Sequence, residues 1–152
     1  MKRAARTMGL TIAFGIIAAL ALMAWVRLAP VDAAALNASP SVYGWDHGGP
    51  WDDVVAMEGG ASLRLSTAKG APADLLARLD AIALASPRTR RLAGNVEEGR
   101  VTWETRSLIW GFPDYTTAEA RPDGLYIHAR LRFGRGDMGV NAARLQSWLE
   151  QL

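Results

Sequence analysis

The sequence predicts an α+β protein with one N-terminal transmembrane helix and a small antiparallel sheet of four or five strands packed by two helices. Three observations support this prediction: residues 7–26 carry no charge, apolar residues within 75–83 recur at helical spacing, and apolar and polar residues alternate over 125–133. An apolar run of about 20 residues can span a bilayer, and periods near 3.6 and 2 residues are typical of helices and strands. The chain therefore divides into an anchor (1–28), a tether (29–59) and a domain (60–152).

The anchor prediction depends on length and flanking charge. At a rise of about 1.5 Å per residue, the twenty residues 7–26 match the ~30 Å hydrocarbon core of a bilayer. Lys2, Arg3 and Arg6 precede the run, so the positive-inside bias predicts a cytoplasmic N-terminus. We expect a single-pass protein of the cell inner membrane with a periplasmic C-terminal domain. The alternative is a signal peptide cleaved near 33–35, which would leave the domain secreted, although the apolar region of such a peptide is usually only ~7 to 15 residues long.

Net charge and cysteine content exclude several classes of function. The formal charge is +2, but four of the 17 basic residues flank the apolar run. The rest of the chain then has 13 basic and 15 acidic residues. A nucleic-acid partner is excluded because such binders carry a basic surplus in the exposed part. With no cysteine, the chain has no disulfide, thiol nucleophile or thiolate metal site.

The remaining elements follow from periodicity and turn residues. Residues 29–59 contain three prolines and several glycines without a sustained period, which predicts a tether. Because this tether carries Tyr43, Trp45 and Trp51, some of it is expected to dock on the domain. The predicted order of the domain is β-α-β-β-β-β-α. The predicted segments are strand 62–66, helix 75–83, strand 89–93, strand 100–108, strand 115–121, strand 125–133 and helix 145–152.

The last third of the chain carries a specific motif. Arg106-Ser107 precedes the turn Gly111-Phe112-Pro113-Asp114, and residues 132–144 read R-x-G-x-x-D-x-G-x-N-x-x-R. These features resemble bacterial domain-of-unknown-function family 1499, and the resemblance extends over about 60–152. Members often have serine where Ala129, Leu131 and Gly136 stand here. The resemblance implies an envelope-associated domain without an assigned activity.

Arginine-rich positions on the sheet form the candidate site. Alternation places Glu104, Arg106, His128, Arg130 and Arg132 on the polar face, and the loop and helix that follow add further polar residues. Guanidinium groups near a helix N-terminus could bind a phosphate or carboxylate. A second interpretation pairs the arginines with acids such as Glu104 and assigns Asp137 and Asn141 to the turn before the last helix. The anion-binding candidates are Arg106, Arg130, Arg132, Arg135, Asp137, Asn141 and Arg144.

Other catalytic and metal-binding patterns are missing from the sequence. His47 lies among Asp46, Asp52 and Asp53, but one histidine in a tether is a poor basis for a zinc site, so we predict no metal and no cofactor. No nucleophile elbow, phosphate-binding loop or dinucleotide fingerprint is present. We therefore assign no catalytic residue.

These observations lead to two functional hypotheses. The first is a non-catalytic accessory or interaction module whose partners are the bilayer and a membrane or envelope protein complex. The alternative is an enzyme or binding domain that uses the arginine-rich face on an anion or lipid headgroup.

Overall fold

The computed structural model describes residues 2–43 and 49–152. An N-terminal helix, α1 (Lys2–Leu28), is followed by a short helix, α2 (Ala33–Leu36), and a 3₁₀ turn at Pro40–Tyr43. Two longer helices, α3 (Pro72–Ala85) and α4 (Val140–Leu149), belong to the domain. The strands are β1 (Val54–Met57), β2 (Gly60–Ser66), β3 (Thr89–Asn95), β4 (Arg100–Arg106), β5 (Pro113–Arg121) and β6 (Gly124–Leu131).

Helix α1 is apolar and almost wholly exposed. Its segment Arg6–Leu28 has a mean hydropathy of 2.2 and is long enough to cross a membrane. A membrane anchor and a signal sequence share these two properties. Val26, near its C-terminal end, is buried against the rest of the protein with 1% exposure.

The sheet is antiparallel throughout, in the order β1-β2-β6-β5-β4-β3. The predicted α+β class is confirmed, but within the described residues the sheet has six strands, more than the four or five predicted. The missed strand is β1, which pairs Val54 with Leu63 of β2. Its four residues lie in a stretch assigned to the tether, because an isolated apolar run of this length gives no usable period.

One face of the sheet forms the apolar core. Helices α3 and α4 both pack on it, and Trp103 lies fully buried between them. The indole Nε1 of Trp103 donates to Asp80 Oδ1 of α3 at 2.8 Å, and its ring meets that of Trp148 of α4 edge-on at 5.9 Å. This face therefore combines apolar burial with one buried hydrogen bond.

The opposite face of the sheet is polar, as the alternation predicted, but most of its side chains are buried. Glu104, Thr102 and Thr117 have no exposure, and His128 has 6%. Residues 29–43, which we call the docking segment, cover this face. Part of the predicted tether therefore docks on the sheet, as expected, but one expectation is corrected: the polar face is largely covered instead of displayed to solvent.

Hydrogen bonds hold the docking segment on the sheet. Asn37 Oδ1 accepts from the hydroxyl of Thr102 at 2.9 Å, and the carbonyl of Leu36 accepts from Arg130 Nη2 at 2.7 Å. Gly94 has a φ of +71°, and a Cβ there would overlap the carbonyl oxygen of Arg100 in β4 and lie 2.9 Å from the side-chain nitrogen of Asn37. A larger residue at this position would therefore disturb both the β3–β4 pairing and the contact with the docking segment.

Of the three tether aromatics, Trp51 docks on the domain, and its ring meets Tyr126 at 5.8 Å. The guanidinium of Arg64 lies 4.7 Å from the same Trp51 ring. Trp45 and the side chain of Tyr43 lie outside the described residues.

Candidate functional site

The seven predicted anion-binding residues do not form one cluster. Arg106 and Arg130 are on the polar face, and Arg132 follows β6 at the same end of the sheet. Arg130 donates to the carbonyl of Leu36, and Arg132 Nη2 donates to the carbonyl of Pro30 at 2.6 Å. The two arginines thus contact the docking segment.

The other four predicted residues lie in the loop after β6 and in α4. Arg144 pairs with Asp114 at 3.1 Å and donates to Asn141 Oδ1 at 2.6 Å. Asp137 accepts from the backbone amides of Gly139 and Asn141, as the turn interpretation predicted. The side chain of Arg135 is exposed.

A large cavity lies beside this loop. It measures about 890 Å³ and opens between the ends of β4, β5 and β6 and the helix α4. Three of the seven predicted residues, Arg106, Asp137 and Arg144, line it. Much of the remaining wall is apolar. Apolar wall residues include Leu108, Phe112, Leu131, Phe133, Met138 and Trp148.

A second, smaller cavity of about 370 Å³ adjoins the first, with Arg88, Arg106 and Leu108 among the wall residues they share. Glu104 is fully buried there and accepts from Arg90 Nε at 2.5 Å and Arg106 Nη2 at 2.7 Å. Arg88 and Arg27 also line this cavity. Four arginines and one glutamate therefore line this cavity, which leaves an excess of positive charge.

The pKa values of two acids around the large cavity are shifted in opposite directions. Burial raises the pKa of Asp114, and the attraction of Arg144 only partly offsets this effect. For Asp137, burial acts to raise the pKa, but hydrogen bonds from Asn141 and Gly139 outweigh it and hold the pKa below its usual value. Asp137 is thus committed to the turn as a carboxylate.

The polar face has two further ionisable groups, of which His128 is buried and Glu119 is partly buried. His128 hydrogen-bonds through Nδ1 to the hydroxyl of Ser62 at 2.8 Å. Burial, with the neighbouring Arg130, lowers the pKa of His128 to about 4. Burial acts to raise the pKa of Glu119, but hydrogen bonds from Ser39, Arg100 and Arg121 outweigh it and leave the pKa lowered.

No grouping of three or more His, Cys, Asp or Glu side chains that could hold a metal occurs within 2–43 and 49–152. His47 and Asp46, discussed above as weak metal ligands, lie outside the described residues.

Sequence reasoning missed Arg27, Arg88 and Arg90 as site residues. Arg27 was interpreted only as a flank of the apolar run and Arg90 only as part of strand 89–93, and Arg88 was assigned to no element. The hairpin of β3 and β4 pairs Arg90 with Glu104. If this register had been assumed, the sequence could have predicted that Arg90 and Arg106 both contact Glu104.

Comparison with known proteins gives one match. Residues 58–152, more than half of the chain, match the model of a family described as protein of unknown function (DUF1499). No curated protein and no solved structure matches the chain.

Proposed function

Since this chain belongs to the DUF1499 family, whose activity is uncharacterised, we propose that it is a single-pass inner-membrane protein serving as a non-catalytic accessory module. Its periplasmic α+β domain is held close to the bilayer, where it contacts a membrane or envelope protein complex.

The observation that carries this proposal is the attachment of the domain to the end of α1. Val26 is buried, the ring of Trp25 lies 5.3 Å from that of Phe133, and Arg27 Nη2 contacts the carbonyl of Ile109 at 3.4 Å. Arg132 binds the carbonyls that immediately follow α1. A domain fixed in this way stays near the membrane instead of exploring the volume that a free tether would allow.

The chemistry of the buried acids supports a structural role. Asp80 accepts hydrogen bonds from Trp103 and Arg91. Glu104 is held by two arginines, and Glu119 by Ser39 and two arginines. Buried charges paired in this manner keep a fold together and are not poised for proton transfer.

The membrane topology can be tested by cysteine labelling, because the chain has no native cysteine that would also react. Arg3→Cys and Ser147→Cys each introduce one exposed thiol at opposite ends of the chain. We expect a membrane-impermeant maleimide to label Ser147→Cys in intact spheroplasts and Arg3→Cys only after permeabilisation. Labelling of Ser147→Cys only after permeabilisation, or loss of residue 3 from the mature protein, would contradict the anchored periplasmic arrangement.

The accessory role is tested by purification of the tagged full chain in mild detergent at native expression, followed by quantitative mass spectrometry. We expect a membrane protein to co-purify at a constant ratio, and to remain when residues 7–24 are replaced by eighteen leucines, because contact is assigned to the domain and this replacement keeps Trp25 and Val26, which attach the domain to α1. Reproducible recovery of the chain alone would refute the proposal.

The alternative function, binding of an anion or lipid headgroup, gains support from a different arginine group than the one predicted. Arg130 and Arg132 are engaged with the docking segment, whereas Arg27 and Arg88 lie at the surface around the second cavity. Anion binding by the seven predicted residues stays a prediction.

A further inference from the structure

Two loops expose large apolar side chains at the end of the domain that joins α1. Leu108 is 72% exposed and Ile109 68%, and Met138, in the loop before α4, is 97% exposed. The first loop contacts α1 directly, through Arg27 and the carbonyl of Ile109. Because exposed apolar patches mark interaction sites and this one adjoins the end of a helix long and apolar enough to span a bilayer, its natural counterpart is the surface of that bilayer.

The charged cavity lies at the same end. Arg27 is the first charged residue after the uncharged run of α1, which puts it level with the lipid headgroups when the helix spans the bilayer. Arg88, Arg90 and Arg106 line the same cavity, and Glu104 is the one acid among its wall residues. Arginine recognises phosphate through paired N–H donors. The arginine side chains at the level of the lipid phosphates thus adjoin an apolar patch.

The large cavity completes the arrangement. At about 890 Å³ it lies in the range of small-molecule sites, about 300 to 1,000 Å³. Its wall includes the exposed side chains of Leu108 and Met138, so it opens where the apolar loops are. An acyl chain can therefore enter from the bilayer side without crossing water.

We propose that the two adjoining cavities together bind one anionic phospholipid of the bilayer that α1 spans. The phosphate lies among Arg27, Arg88, Arg90 and Arg106, an acyl chain occupies the large cavity, and the loops carrying Leu108, Ile109 and Met138 insert into the headgroup layer. This inference rests on the membrane-anchored arrangement in the proposed function but not on the accessory role.

The first test uses the full chain in nanodiscs that contain equal amounts of phosphatidylglycerol and phosphatidylcholine, followed by release into detergent and native mass spectrometry. We expect phosphatidylglycerol to be retained on the order of tenfold more often than phosphatidylcholine, because arginines near the surface favour anionic lipid. Two further arms add inorganic phosphate or a single-chain fatty acid and measure thermal stabilisation. Each is expected to stabilise the protein less than phosphatidylglycerol, since each fills only one cavity.

Arg27→Gln with Arg88→Gln tests the headgroup half. Neither arginine pairs with the buried Glu104 in the structure, so the fold should survive. We expect preference for phosphatidylglycerol to fall by about tenfold. The matched control, Lys69→Gln with Arg78→Gln, removes the same charge from exposed positions around α3 and should leave the preference within about twofold.

Ala143→Phe tests the acyl-chain half. Ala143 is exposed on α4 and lines the large cavity, so a phenyl ring fills its mouth without disturbing the core. We expect cross-linking to a phosphatidylglycerol with a diazirine on its acyl chain to fall by about fivefold. Gln146→Phe places the same ring on α4 away from the cavity wall and should leave cross-linking unchanged.

Equal retention of both lipids by the native chain, or an unchanged preference in Arg27→Gln with Arg88→Gln, would overturn the headgroup assignment. Stabilisation by phosphate alone as great as that by phosphatidylglycerol, or equal cross-linking in both phenylalanine variants, would overturn the acyl-chain assignment. A lipid result of either kind is independent of whether a protein co-purifies, so failure of this inference and failure of the accessory role are separable.

Discussion

The two faces of the sheet are both buried, but different forces hold their coverings in place. On one face, α3 and α4 cover an apolar core that includes Leu63, Trp103 and Ile127. On the other, the docking segment lies on polar side chains and is held by hydrogen bonds to its own carbonyls, as at Leu36 and Pro30. Apolar burial tolerates small shifts, whereas a carbonyl must meet its donor at a defined distance and angle.

This difference has a functional consequence. The helix-covered face makes the domain stable, and the segment-covered face attaches that domain to α1. Loss of contacts on the first face should unfold the domain, whereas loss on the second should free it from α1 with a smaller stability cost.

The largest effect is expected from Trp103→Ala on the helix-covered face. The substitution removes the central buried ring, its contact with Trp148 and its hydrogen bond to Asp80. We expect the free energy of unfolding to fall by about 4 kcal/mol, measured by urea denaturation of the detergent-solubilised chain. Trp110→Ala, at a position 41% exposed, should cost less than about 1 kcal/mol. Equal losses in both variants would mean that Trp103 is not central to the core.

On the segment-covered face, Arg130→Met is expected to have the next largest effect. It removes the donors to Leu36 O and to the Thr117 hydroxyl, which leaves buried polar atoms without these partners. We expect a loss of about 3 kcal/mol and faster proteolysis within residues 29–43. Arg135→Met, an exposed arginine in the loop after β6, is the control and should change neither quantity. Unchanged protection of residues 29–43 in Arg130→Met would contradict the proposed attachment.

The contrast between the faces also explains what the sequence could predict. Strands 100–108 and 125–133 were recognised because alternation is encoded in the residues themselves. The docking segment has no period, since its contacts run through backbone carbonyls that every residue possesses. For the same reason Arg130 and Arg132 were assigned to an exposed anion site: their side chains indicate hydrogen bonding but not the acceptor. To predict the cluster of Arg27, Arg88 and Arg90, the β3–β4 register and the position of the end of α1 would have been needed.

The pH dependence of stability should identify His128 on the segment-covered face. Its pKa is about 4 in the folded chain and about 6.5 when unfolded, so the unfolded state binds the proton first. The contribution of neutral His128 to the free energy of unfolding is therefore complete above about pH 6.5 and is lost as the pH falls towards 4. Between pH 7 and pH 5 the native chain should lose about 2 kcal/mol more than His128→Gln. Urea denaturation at both pH values measures the difference, and parallel losses in the two proteins would refute the assignment.

The smallest effect is expected at the turn that leads into α4. The carboxylate of Asp137 accepts from the amides of Gly139 and Asn141 at 3.1 and 2.9 Å, so Asp137→Ala should cost about 1 kcal/mol of unfolding free energy. Asp137→Asn keeps an acceptor oxygen and should cost less. Because the folded pKa of Asp137 is lowered, its contribution is present above the unfolded pKa and disappears as the pH falls through the folded one. The difference between the native chain and Asp137→Ala should therefore shrink in acid, whereas a difference that stays constant would assign the effect to the backbone conformation of the turn instead of the charged carboxylate.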